Sequence, residues 1–501
     1  MRQMYTVILR VHGRTVRLVV SELLTFTKIG LLHLMKGAHF FRGLSWLVVL
    51  NMLIKPIWIF GIDRQVQNVA GHEAYGTYFS ILNLSIILSF FADAGLTNML
   101  NRELALRQLR NIEKLVRIKI VLSLIYLCIL FFVAWLTHVH YWQLILLTGL
   151  LQIFSSFLIF FRNVITGYQQ FGADAWVSVI DKALTILICG SLLYLPFSSG
   201  LSLQSFLLIQ CGSTLAALII AVIIVTRHHE PSDETINIKG VFERSAPFIL
   251  LILLMGVHTR LDAFLLERIH PQGPYQAGVY ASAYRLLDAG NTLGYLAASF
   301  LLPFVAYNLG DGAIIEATVL KLRHALMTAA AVFIGVCAAF SEKIMNLLYH
   351  TPDPYHAKVL LACAAALPAY YLIHLYGSLL NAKGKFRIFS IVVFSCVGLN
   401  VIANLVLIPG YGALGCGIAA LISQYLCGGL CFIFATKTLK LHLHLSSILV
   451  YAVVGMTVYG AGYCWQRYGF SWGSLILAGA ILIGLIMFAL RKTAKKQNVS
   501  L

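Results

Sequence analysis

Arg260, Asp262, Arg285 and Asp288 stand inside two membrane-length apolar stretches, roughly Ala246–Glu267 and Val279–Tyr307. A charge near the centre of a bilayer costs from about 2.5 to more than 10 kcal/mol, so such residues face a bundle interior or a wet hollow. On a helix, Arg285, Asp288, Thr292, Tyr295 and Ser299 follow spacings of 3, 4, 3 and 4 and make one polar stripe. Asn51, Lys55 and Trp58 share a face in an earlier stretch, where Pro56 removes a backbone donor and bends or unwinds the helix. Ser178, Asp181, Lys182 and Thr185 form a third polar set, and Ser85, Ser89 and Asp93 a fourth. Lys55, Lys182, Arg260 and Arg285 are therefore candidates for the cationic lining of one interior space. Asp93, Asp181, Asp262 and Asp288 are candidates to balance that charge or to hold a coupling H+ or Na+. A basic hollow suits an anionic passenger such as a phosphate or diphosphate head group, whereas an acidic one would suit a cationic drug. The competing reading is that these are ion pairs that only fix helix packing. Arg285 and Asp288, three apart, can pair on one helix, while Arg260 and Asp262 need partners elsewhere. Asp93 could merely end its helix, and Lys182 could snorkel to a boundary.

The elements that position these residues are membrane helices. The chain has 501 residues, 59% hydrophobic and 11% charged, against roughly 25% charged in soluble domains. Apolar runs of about 20 residues, each long enough to cross a core of about 30 Å, recur along its length. They lie near Leu44–Gly61, Tyr75–Ala92, Lys119–Leu136, Trp142–Phe161, Ala175–Leu195, Gln204–Thr226, Ala246–Glu267, Val279–Tyr307, Leu322–Phe340, Val359–Gly377, Phe386–Ile408, Ala413–Ala435, Ser446–Trp465 and Trp472–Leu490. The expected fold is all-α, a polytopic membrane protein of about fourteen helices. With the N-terminus inside, the basic residues gather on one side, from Arg102 to Arg117, at Arg227, Lys239 and Arg244, and from Arg491 to Lys496. That bias predicts an even number of spans with both termini cytoplasmic.

The net charge of +18 is accounted for by the same bias, and no nucleic-acid-binding module is present. The ten cysteines lie almost all in apolar runs and read as small buried hydrophobes, not as disulfides or a metal site. His138 with His140, His228 with His229, and His442 with His444 read as solvated loop residues. No phosphate-binding loop for a nucleotide is present, so no cofactor is expected.

The polar linker Arg227–Arg244 divides the spans, and a faint echo crosses it. Gly76 and Tyr78 begin one span as Gly278 and Tyr280 begin another, and Gln170-Phe171 is matched by Lys385-Phe386. The expected organisation is a basic amphipathic segment over 1–43, a first six-helix lobe over 44–226 and a cytoplasmic linker over 227–244. A second six-helix lobe over 245–436 follows, then two further helices and a basic tail over 437–501, with a central cavity between the lobes. The first segment either lies along the cytoplasmic leaflet or precedes a true start at Met35.

Gly71–Ala105 resembles the signature of the polysaccharide-type flippases of the multidrug/oligosaccharidyl-lipid/polysaccharide exporter superfamily. The matching elements are Gly71-x-x-x-Tyr75-Gly76, Asp93-x-Gly95 and Arg102-Glu103. Ala277–Asp288 and Asn404–Ser423, with its Ile408-Pro409-x-Tyr411-Gly412 turn, are similar to further segments of that family. The resemblance covers most of Leu44–Ala435. It implies alternating-access transport of an undecaprenyl-diphosphate-linked oligosaccharide (an O-antigen, capsule or exopolysaccharide repeat unit) across the bacterial cytoplasmic membrane. It carries over Lys55, Arg260 and Arg285 as cavity cations and implies no enzymatic activity. The expected partners are the anionic lipid-linked glycan, membrane lipids and glycan-assembly enzymes. The alternatives are a cation-coupled drug exporter of the same superfamily and a lipid II flippase, whose basic first-helix cluster is matched here only by Lys55. A membrane-embedded glycan polymerase or ligase would need a sizeable outer loop. The longest expected ones, Ile62–Ala74 and Glu342–Lys358, are short.

Overall fold

Two glycines turn the chain back on itself at the points that matter most. The computed structural model describes residues 6–11, 14–19, 50–51, 53–97, 100, 112–168, 170–194, 201–227, 238–349, 353–441 and 447–468. Among them, eleven helices are long and apolar enough to cross a membrane. They are α1 (Leu53–Asp93), α2 (Ile112–Leu136), α3 (Trp142–Gly167), α4 (Phe171–Tyr194), α5 (Leu203–Thr226) and α6 (Ile249–Ile269). The rest are α7 (Gly273–Tyr307), α8 (Gly312–Tyr349), α9 (Pro354–Ala382), α10 (Phe386–Leu439) and α11 (Ile448–Tyr468).

Helices α1 and α10, of 41 and 54 residues, would be about 60 and 80 Å long if straight, far more than one crossing. Each is a pair of limbs. Gly71 (φ 82°, ψ 163°) breaks α1. Tyr75 donates to Asp63, 12 residues earlier, at 2.8 Å, although a straight helix would hold them about 18 Å apart. Gly412 (φ 55°, ψ −129°) breaks α10, and Asn400 donates across the bend to Ser423 at 3.1 Å. That backbone conformation suits glycine alone, and the neighbouring Ala413 amide is held by Gln276 Oε1 at 2.9 Å. The Ile-Pro-x-Tyr-Gly motif is thus a chain reversal.

Burial follows membrane logic. Leu96, Leu115, Phe160, Val177, Ala217 and Val225 form a core drawn from helices before residue 227. A larger core joins α1 to α6–α10, through residues such as Tyr78, Tyr280, Tyr371 and Leu379. Phe132, Trp135, Phe394 and Val406 are exposed on outer helix faces, where acyl chains would cover them.

Several expected boundaries move. Residues 62–74 are not a loop, because α1 runs helically to the break at Gly71. Only residues 350–353 separate α8 from α9, so most of Glu342–Lys358 is helical too. The inter-lobe linker ends early, since helix begins at Ile238. The first segment, expected only to be basic and amphipathic, holds a two-stranded antiparallel ribbon, Thr6–Val11 with Arg14–Val19. Its β-branched residues at 6, 7, 8, 11, 15, 16 and 19 favour strand. The expected span Trp472–Leu490 lies outside the described residues.

Candidate functional site

Pro56 sets the geometry of the first limb of α1. It cannot donate a backbone hydrogen bond, and Ile57–Asp63 winds as a π-helix directly after it. In an α-helix, residues five apart point about 140° from one another; the wider winding brings Trp58 and Asp63 toward one side. That side meets Arg285 of α7. The Arg285 guanidinium pairs with the buried Asp63 carboxylate at 2.7 Å, donates to the Tyr75 hydroxyl at 3.1 Å and sits 5.7 Å from the Trp58 ring. The same indole also meets α4: Lys182 Nζ lies 5.1 Å from its centroid. Asn51 donates to Ser178 at 3.1 Å one turn back along the same pair of helices. Lys182 pairs with Asp181 at 3.1 Å, and Arg260 pairs with Asp288 at 3.4 Å. Arg260 also lies 5.4 Å from the Tyr284 ring.

Lys55 completes the cluster without a counter-ion. The charges that act on it are those of Lys182, Arg162, Asp288 and Asp181. Arg162 is engaged by Asp174 at 2.7 Å. No carboxylate among the described residues lies within ion-pairing distance of Lys55. Among the described residues, Lys55, Lys182, Arg260 and Arg285 are thus set against Asp63, Asp181 and Asp288, four positive charges to three negative.

Two predicted residues lie elsewhere. Asp93 is not in this cluster. It pairs with the buried Lys119 at 2.5 Å and accepts from Thr97. It caps the end of α1, where Ala94 and Gly95 take left-handed φ values, so its Asp-x-Gly motif is a helix stop. Asp262 faces away from the other charges into the second half of the bundle, because a residue two positions from Arg260 must point elsewhere. It accepts from Asn404 at 2.8 Å, close to Ser423, with the Asn400 and Tyr280 side chains also set against the carboxylate. Arg285 also differs from expectation: its partner is Asp63, not Asp288. Sequence reasoning missed Asp63 and Tyr75. The apolar run thins after Gly61, which hid the continuing helix, and nothing local links position 63 to position 285.

At the Gly71 end the cluster is sealed. A Cβ on Gly76 would meet the Pro274 carbonyl oxygen at 1.9 Å, and one on Gly278 would meet that of His72 at 2.0 Å. The two glycines of the sequence echo therefore touch in space, and α1 and α7 meet backbone to backbone. Gln67 donates to the Gly278 carbonyl at 2.8 Å across the same seam. Toward the other end the helices part around a cavity of about 460 Å³, reached by Ser89 of α1, Ser155 of α3, Thr259 of α6, Tyr295 of α7 and His374 of α9. A larger hollow of about 610 Å³ between α8, α10 and α11 is apolar and holds none of the predicted residues.

Residues 18–307, more than half of the chain, match the family model described as polysaccharide biosynthesis protein. Among solved structures, the fold is similar to that of the lipid II flippase MurJ in an inward closed conformation. The TM-score is 0.63 at 10% identity, over 89% of this chain and 99% of that one. It is also similar to an inward-facing multidrug resistance MATE family transporter of the MOP superfamily, with TM-score 0.56 and 14% identity over 79% of this chain and 94% of that one. A variant of the Vibrio cholerae MATE transporter VcmN gives TM-score 0.55 and 14% identity over 81% and 97%. No curated protein matches the sequence.

Proposed function

The chain belongs to the polysaccharide biosynthesis protein family, and from that premise we propose that it is a flippase for an undecaprenyl-diphosphate-linked oligosaccharide. The observation that carries this reading is Lys55, an ammonium inside the bundle with no carboxylate among the described residues at ion-pairing distance, set in the field of Lys182 and Arg162. An unpaired cation at membrane depth is costly, and a diphosphate would supply the missing counter-charge. The same surplus argues against a cationic drug as cargo. The break at Gly71 within α1 and the four residues 350–353 after α8 leave little room there for the outer active site of a polymerase or ligase.

In this reading the basic ends of the helices face the cytoplasm of a bacterial cell, with both termini inside its inner membrane. Two six-helix lobes, joined near residue 230, rock about the cluster. The seam at Gly76 and Gly278 is the outer gate, closed here, and the cavity beyond Tyr295 is the inner entrance. Glycan-assembly enzymes supply the cargo. Arg260, held by Asp288 through one 3.4 Å contact, can exchange its carboxylate for a phosphate. Arg260→Gln is expected to cut surface glycan at least tenfold while the protein still inserts. Normal export by that variant would count against the site.

Coupling is placed at Asp262. Its carboxylate is bordered by Asn404, Asn400 and Tyr280, the Asn404 side-chain oxygen is buried without a partner, and Ser423 lies beside Asn400. A carboxylate with amide and hydroxyl oxygens around it suits Na+ or a proton. Asp262→Asn is expected to abolish the stimulation of flipping by an imposed Na+ or pH gradient in proteoliposomes, leaving slow ungated exchange. Unchanged stimulation by both gradients would remove coupling from this residue.

A further inference from the structure

We propose that the cavity of about 460 Å³ beside the cation cluster is a sugar-ring subsite, separate from the diphosphate grip, and that it decides which glycan is carried. This rests on the flippase reading above.

The lining differs in kind from the cluster. Gln152, Ser155 and Ser156 come from α3, Tyr370 and His374 from α9, and Gln424 from α10. These are amides, hydroxyls and rings, with no lysine or arginine among them. The one carboxylate in the wall, Asp93, is already engaged by Lys119 and Thr97. Such a wall has nothing to neutralise a diphosphate, but it can donate to and accept from many hydroxyls. The volume falls within the roughly 300–1,000 Å³ of small-molecule sites.

Two of the wall's polar atoms point to a missing ligand. Gln424 is fully buried, yet its Oε1 has no partner at hydrogen-bonding distance and angle, and the Tyr370 hydroxyl, 3% exposed, has only the Tyr284 hydroxyl beside it. Buried polar atoms are nearly always paired, and leaving them unpaired is costly. They sit on one wall, with Gln152 on the opposite wall, contributed by the first half of the bundle. Tyr295 adds a platform. Its ring is 46% exposed and braced by His374 with centroids 4.4 Å apart. An aromatic face carries the negative part of a quadrupole and attracts the C–H face of a sugar. Arg260 lies next to Thr259, which lines the cavity, so a diphosphate at Arg260 would deliver its first sugars into this space.

The test compares two lipids on the full-length protein in detergent: undecaprenyl diphosphate, and the same lipid carrying one N-acetylated hexose. Wild type is expected to bind the sugar-bearing lipid about tenfold more tightly, the factor that roughly 1.4 kcal/mol of pairing gives. Tyr370→Phe, which removes one oxygen, and Gln152→Leu, from the opposite wall, are each expected to erase most of that preference. Affinity for the bare diphosphate and the thermal unfolding midpoint should stay unchanged in at least one of them. Equal binding of both lipids by wild type, or a preference that survives both substitutions, overturns the subsite. Binding of neither lipid overturns the flippase reading itself.

Discussion

Replacing Arg285 with leucine is expected to destabilise the protein by about 3–5 kcal/mol, the cost of leaving a buried charge without its partner. Asp63 would remain as that charge. Its side chain is wholly buried, and its contacts are the guanidinium at 2.7 Å and the Tyr75 hydroxyl at 2.8 Å. The pair ties both limbs of α1 to α7, so a large drop in the thermal midpoint of the purified protein should accompany the loss. The double variant Arg285→Leu with Asp63→Leu removes both charges and should regain most of the stability. Glycan export divides two roles. If Arg285 mainly holds the helices together, export returns in part with the double variant. If it grips cargo, export stays lost although the fold has recovered. The geometry favours the first role, because the guanidinium is already engaged: Asp63 pairs with it at 2.7 Å, and the Trp58 and Phe79 rings lie 5.7 and 5.2 Å away.

Lys55 should behave in the opposite way. Lys55→Met keeps most of the length of the side chain and removes its charge. No ion pair is lost, and the repulsion from Lys182 and Arg162 disappears. Stability is therefore expected to hold or rise, while flipping falls at least tenfold. Lys55→Arg should retain a good part of the activity, since the charge survives. A purely structural lysine would give the reverse pattern, with lower stability in the methionine variant and little change in flipping. These two positions, one paired and one unpaired, are the clearest separation of scaffold from grip in the cluster.

Much of this arrangement was legible in the amino-acid sequence, and the limits have physical causes. Hydropathy placed the helices, because a bilayer demands long apolar runs. The 3 and 4 spacings put Arg285, Asp288 and Tyr295 on one face, and the structure brings Lys55, Lys182, Asp181, Arg260, Arg285 and Asp288 together. Partner choice was not legible. Spacing suggested Arg285 with Asp288, yet Arg285 meets Asp63 from 222 residues away and Asp288 meets Arg260. Asp63 was hidden because a π-helical turn after Pro56 carried the helix past the point where hydropathy falls. Asp262 is two residues from Arg260, and that interval alone sends it to the other side of its helix. Asp93 looked like a membrane charge but serves as a helix stop. The N-terminal ribbon was not legible because Arg10, Arg14 and Arg17 interrupt the β-branched residues that favour its strands.

The central claim is that the cluster moves an anionic, polyprenyl-linked glycan from one leaflet to the other. The most direct test reconstitutes the wild-type chain in liposomes with undecaprenyl-diphosphate-linked oligosaccharide in the inner leaflet and follows its appearance outside with a sugar-modifying enzyme. Appearance at a rate proportional to protein content, and slowed at least tenfold by Lys55→Met, is the predicted result. A rate no different from protein-free liposomes would contradict the account.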